Sequence, residues 1–119
     1  TSTTTNFRRT ATCDTEVGGF RVKKGDKIYL SYAAANRDPA VFENPDAFDI
    51  TRANANRHLS FGVGPHLCLG ARLARLELHA LLRQIVTRIP DIHLAGEPEW
   101  LRSIWFNAIV RMPVAFRPE

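Results

Sequence analysis

Phe61-Gly62-Val63-Gly64-Pro65-His66-Leu67-Cys68-Leu69-Gly70 is the stretch of this chain whose residue types and spacing can do chemistry. It holds three glycines, a proline, a histidine and one of the two cysteines, and it runs directly into a long apolar-periodic segment. A cysteine placed where a glycine-rich loop becomes a helix N-terminus is suited to ionisation. The unpaired N–H groups and the positive end of the helix dipole stabilise a thiolate there. Such a thiolate is a metal ligand or a nucleophile in waiting.

The elements that position this loop follow from patterning. Phe7 to Thr12 reads as a strand. Glu16 to Val22 sets two glycines between apolar-alternating arms, a hairpin signal. Lys24-Gly25-Asp26 is a second turn, and Lys27 to Ala34, with Ile28, Leu30 and Tyr32 alternating, is another strand. Together these predict a small antiparallel sheet. Asn36 to Arg57 is irregular, a meander with one short helix near Pro39 to Phe42.

Leu69 to Ile89 carries the strongest helical pattern. Leu69, Leu73, Leu76 and Ala80 form one apolar stripe, and Ala74, Leu78, Leu81, Ile85 and Ile89 an adjacent one, so the helix must be covered on most sides. Arg72, Arg75, His79 and Arg83 make one narrow polar stripe, with Glu77, Gln84 and Arg88 on another, and Pro90 stops the helix. Asp91 to Leu94, Ser103 to Ile109 and Val114 to Phe116 read as short strands joined by turns at Gly96-Glu97-Pro98 and Arg111-Met112-Pro113.

Composition narrows the function classes. The 119 residues fit one small domain of ordinary globular make-up, 45% apolar and 24% charged. No apolar run reaches the roughly 18 residues of a membrane span, and the polar start from Thr1 to Asn6 is unlike a signal peptide. A soluble cytoplasmic chain is the expectation. The net charge of +4 comes from sixteen Lys and Arg against twelve Asp and Glu. It is scattered without a dense basic tail, which argues against nucleic-acid binding. Cys13 and Cys68 fit no zinc spacing, and a disulfide between them would be unusual in a cytosolic chain.

Cys68 could be a small buried hydrophobe, a nucleophile, a zinc ligand or the axial ligand of a haem iron. His66 and His58 do not stand at a recognised nucleophile spacing, and with His79 they make no zinc pattern. Haem ligation needs one thiolate and a surface for a flat macrocycle, and it also explains the neighbours. Glycines 62, 64 and 70 permit close approach and leave N–H groups for the sulfur, Phe61 can keep water off it, and His66 can meet a propionate.

Phe61-x-x-Gly64-x-His66-x-Cys68-x-Gly70-Ala71 resembles the haem-binding signature of the cytochromes P450, whose iron is held by cysteine thiolate. The resemblance continues upstream through Ala35-Asn36-Arg37-Asp38-Pro39 and Phe42-x-x-Pro45-x-x-Phe48-x-x-x-Arg52, and downstream through Leu73-Ala74-Arg75-Leu76-Glu77. It implies an α+β fragment of the mainly-α cytochrome P450 fold, with a small antiparallel sheet, a haem-ligand loop, a long buried helix and a C-terminal hairpin. Residues 1–119 would be the C-terminal, haem-ligating part of one domain. The Glu-x-x-Arg motif and the distal proton-delivery helix have no counterpart here and are expected upstream of Thr1.

The cofactor it implies is haem b, iron protoporphyrin IX, with Cys68 on the metal and Arg9, His58, Phe61, Gly62, Gly64, His66 and Gly70 in the binding set. Arg9 matches the arginine that in many members meets a haem propionate. Thr4, Thr5, Trp105 and Phe106 correspond to substrate-contacting positions, and no catalytic residue is expected within the chain. The implied activity is insertion of one oxygen atom from dioxygen into a small hydrophobic substrate, of the sterol or lipid class to which the resemblance of Leu101-Arg102-Ser103 and Arg111-Met112-Pro113-Val114 points. Electrons would come from a ferredoxin- or flavin-type donor, with Arg72 and Arg75 on the docking surface. The alternative is a truncated, catalytically inactive haem-binding fragment.

Overall fold

Two compact units, Thr1–Ser60 and Phe61–Glu119, divide the chain at the residue before the glycine-rich loop. The structure is a computed structural model that describes residues 2–117. In the first unit, Asn6–Thr10 (β1) runs antiparallel to Lys27–Ser31 (β4), from Asn6 opposite Ser31 to Thr10 opposite Lys27. Between them Thr15–Val17 (β2) and Phe20–Val22 (β3) form a tight hairpin. Gly18 and Gly19 both take positive φ, +57° and +84°, which matches the twist of a two-residue hairpin turn. The expected single sheet is thus two separate two-stranded ladders.

The strand expected to reach Ala34 stops at Ser31 because the Ser31 hydroxyl accepts the Ala34 N–H at 3.2 Å. That is an N-cap, and Tyr32–Ala35 (α1) follows it. Tyr32 is buried, and its ring lies 5.9 Å from that of Phe7 on β1. The helix expected near Pro39 to Phe42 is one turn: the N–H groups of Val41 and Phe42 both donate to the Asp38 carbonyl, at 3.0 and 2.9 Å. Asn44, at φ +47°, and Pro45 then redirect the chain. The meander is organised by Arg52. Its guanidinium donates to the carbonyls of Glu43, Asn44 and Ala47 and stands 5.9 Å from the centre of the buried Phe42 ring.

In the second unit Ala71–Arg88 (α2) is the predicted helix, closing at Ile89 before Pro90. Its leucines stand largely exposed among the described residues: Leu73 is 59% exposed, Leu76 66% and Leu81 56%, and only Ala71 of the helix is buried. After it, His93–Leu94 (β5) pairs with Val114–Ala115 (β8), and Glu99–Trp100 (β6) with Ile109–Arg111 (β7), the second ladder nested within the first in sequence. The strand expected over Ser103 to Ile109 is a loop, because the Ser103 hydroxyl accepts the N–H groups of Trp105 and Phe106, both at 3.1 Å, and curls the chain. Arg111, read as part of a turn, belongs to β7.

Candidate functional site

Backbone geometry makes the loop from Phe61 to Gly70. Gly62 and Gly64 sit at φ +73° and +66°, a region in which a side chain costs free energy and glycine does not. Gly64, Pro65 and His66 form a single 3₁₀ turn closed by the Leu67 N–H on the Gly64 carbonyl at 3.0 Å. The Cys68 N–H then donates to the Phe61 carbonyl at 2.8 Å, so the loop returns on itself and fixes the cysteine opposite the residue where it began. The Cys68 carbonyl accepts from Ala71 at 3.2 Å, joining the loop to the first turn of α2.

Cys68 is a free, exposed thiol. The N–H groups of Leu69 and Gly70, which follow it, have no backbone or side-chain acceptor among the described residues. Gly70 is the N-cap of α2 and offers no side chain to satisfy the helix end. A Cβ added to Gly70 would stand 3.9 Å from the Cys68 sulfur, while one on Gly64 would meet nothing within 4 Å. These features leave open backbone donors beside the sulfur. Among the described residues no three His, Cys, Asp or Glu side chains gather into a metal cluster. A flat ligand would find no side chain on Gly64 in its way.

Phe61 is half-buried, and the Arg75 guanidinium lies 4.7 Å from its ring centre. This cation–π contact ties the start of the loop to the second turn of α2. From the sequence Arg75 belongs to a polar helix stripe and a docking surface, and the (i, i+14) spacing carries no sequence signal for this contact. His66 is exposed on the 3₁₀ turn. Trp105 and Phe106 are half-exposed on the loop between β6 and β7.

Arg9, His58, Thr4 and Thr5 lie in the first unit. Arg9 is half-buried on β1 opposite Ile28, and one guanidinium nitrogen donates to its neighbour's carbonyl, that of Arg8, at 3.1 Å. His58 closes the 3₁₀ turn Ala55–Arg57 in extended conformation, and its Nδ1 accepts the Ser60 N–H at 3.2 Å. The Thr5 carbonyl accepts from the Tyr32 and Ala33 N–H groups at the start of α1. No helix among the described residues is long and apolar enough to cross a membrane.

Comparison with known proteins gives the context. The family model described as cytochrome P450 matches residues 1–90. The chain is 47% identical over 113 residues to the steroid C26-monooxygenase of Rhodococcus jostii strain RHA1, covering 94% of this chain and 24% of that protein. It is 45% identical over 111 residues to cytochrome P450-terp of a Pseudomonas species, covering 93% and 26%. The crystal structure of P450BioI in complex with an acyl carrier protein ligated to hexadec-9Z-enoic acid superposes with a TM-score of 0.92 at 43% identity, over 98% of this chain and 30% of that one. The chain thus spans about a quarter of the length of the curated relatives it matches. With a family match over three-quarters of its length, the fold of solved members and a haem-thiolate signature built as a closed loop, the chain belongs to the cytochrome P450 family, whose cofactor is haem.

Proposed function

We propose that this chain is the haem-ligating portion of a cytochrome P450 monooxygenase that holds haem b through Cys68. The observation that carries the reading is the free Cys68 thiol fixed by its own N–H on the Phe61 carbonyl, at the mouth of a glycine-lined loop. When bound, the haem supplies the redox-active iron at which dioxygen is activated. The chain's residues do the rest of the proximal work. Cys68 would hold the iron as a thiolate, and the open N–H groups of Leu69 and Gly70 would donate to that sulfur and temper its electron donation. Phe61, held under Arg75, would help to keep water from the sulfur once the haem is bound. Gly62 and Gly64 keep the approach clear, His66 and Arg9 are assigned to the cofactor's carboxylates, and His58 and Gly70 complete the binding set.

The overall reaction takes a substrate C–H bond, dioxygen, two electrons and two protons to an alcohol and water. A ferredoxin- or flavin-type protein is the electron source, and Arg72 on the first turn of α2 belongs to its docking surface. Proton delivery to dioxygen and the Glu-x-x-Arg lock are assigned to residues outside this chain. The substrate is a small hydrophobic molecule of the sterol or lipid class, contacted by Trp105, Phe106, Thr4 and Thr5. The steroid C26-monooxygenase relative and the fatty-acyl complex of P450BioI support that class. The working compartment is the cytoplasm.

Haemin titration tests the reading: wild type is expected to take up one haem with a thiolate-type spectrum, and Cys68→His to show an imidazole-type one. A spectrum unchanged by Cys68→His would overturn it. Because the chain spans about a quarter of its relatives, a second reading is an inert haem-binding fragment. Turnover of a sterol or fatty acid with a redox partner and reductant separates the two: product supports the enzyme, and haem uptake without product supports the fragment.

A further inference from the structure

The ligand loop begins on a residue that the loop's own backbone does not secure. Phe61 is followed by Gly62 at φ +73° and then by Gly64 at +66°, and glycine has more backbone freedom to lose on folding than any other residue. Yet the Phe61 carbonyl is the acceptor that closes the loop on the Cys68 N–H, at 2.8 Å. The far end of the loop is fixed to α2 by backbone bonds: the Cys68 carbonyl accepts from Ala71 at 3.2 Å and the Gly70 carbonyl from Ala74 at 2.9 Å. The near end meets the same helix through side chains, where the Arg75 guanidinium stands 4.7 Å from the Phe61 ring centre. That distance is well within the roughly 6 Å reach of a cation–π contact, and a planar guanidinium suits a ring face. Among the described residues Arg75 has no ion pair or side-chain hydrogen bond, so the ring is the group that engages its charge. All of these residues belong to the second unit.

We propose that Arg75 is a positioning residue for Cys68, acting through Phe61. By holding the ring against the second turn of α2, the guanidinium keeps the Phe61 carbonyl on the Cys68 N–H. The cysteine is then held between two attachments to one helix, a backbone bond on its carbonyl side and the Arg75–Phe61 contact on its N–H side. The consequence for the cofactor rests on the reading of Cys68 as the haem ligand: with the clamp loosened, the thiolate-type form of the haem complex is less well held. Arg75→Leu removes the cation and keeps a good helix former. Arg75→Lys keeps a cation within reach of the ring.

The test is amide hydrogen exchange of the haem-free chain, read residue by residue by NMR. Arg75→Leu is expected to speed exchange of the Cys68 amide about threefold, the size of one cation–π contact at an exposed site, and Phe61→Leu at least as much. The Ile89 amide, which donates to the Ile85 carbonyl at the far end of α2, should keep its wild-type rate. The double variant should exchange no faster than Phe61→Leu alone, because Arg75 acts through the ring. Arg75→Lys should recover most of the difference. After haem addition, the share of the reduced, carbon-monoxide-bound chain with an unshifted Soret band should rise in the same order. Should Arg75→Leu associate through its enlarged apolar face, Arg75→Gln takes its place with the same expectations.

A Cys68 amide that exchanges at the wild-type rate in Arg75→Leu, effects that multiply in the double variant, or an acceleration shared equally by Ile89 overturns the proposal. Each of these is read without haem. A thiolate-type band that survives Cys68→Ala sinks the haem-site reading instead, and the clamp still stands or falls on the exchange rates.

Discussion

Single residues carry the chemistry, and the loop from Phe61 to Gly70 was legible in the sequence because its constraints are local. Gly62 and Gly64, read from the sequence as permitting close approach, both adopt left-handed backbone, and the Cys68 N–H closes the loop on Phe61. What spacing could not reveal was the support from a residue distant in sequence, Arg75 over Phe61, because such a contact leaves no periodic trace. At Gly64 an added Cβ meets open space, so Gly64→Ala should cost only the conformational penalty, about 1 kcal/mol, and Gly64→Asn, which tolerates that backbone, less. Urea midpoints check the order; equal losses would mean that the backbone is not under that constraint. Asp49 adds a pH dependence. Its pKa lies below the usual carboxylate value, chiefly through the hydrogen bonds from the Thr51 hydroxyl and N–H. A depressed native pKa contributes stability that is present above the unfolded value near 3.8 and is lost as pH falls through the native one. Asp49→Asn should flatten that acid limb of a stability–pH profile, and an unchanged limb would assign it to other groups.

At the scale of elements, periodicity located α2 and the Gly18-Gly19 hairpin, since a 3.6-residue repeat and a two-glycine turn are written over a few consecutive residues. The failures came where one hydroxyl outweighed a pattern. Ser31 turned an apparent strand into α1 by capping it, and Ser103 curled an apparent strand into a loop. β6 was missed because two residues, Glu99 and Trp100, are too few to show alternation. Ser31→Ala should therefore destabilise the first unit by about 1 kcal/mol, the usual worth of an N-cap, with Ser31→Asp restoring it. Circular dichroism during urea unfolding reads both, and an Ser31→Ala chain as stable as wild type would remove the cap from the account.

For the whole molecule, the decisive fact is how little apolar surface the described residues bury. Only Tyr32, Phe42 and Ala71 make up the buried apolar set, while leucines on both stripes of α2 stand half or more exposed. The sequence showed that this helix must be covered; what covers it in an assembled molecule is not written in these 119 residues, so that part of the architecture was illegible. Apolar faces of this extent drive association. Sedimentation of the isolated chain should show self-association that rises with concentration and weakens in Leu76→Glu; a monomer at all concentrations would mean that the face is covered. The claim on which the rest depends is ligation of haem iron by Cys68, and the most direct test is the spectrum of the reduced, carbon-monoxide-bound chain after haem addition. A red-shifted, thiolate-type Soret band that Cys68→Ala abolishes is the predicted result, whereas an unshifted band, or a shifted one that persists in Cys68→Ala, would contradict the account.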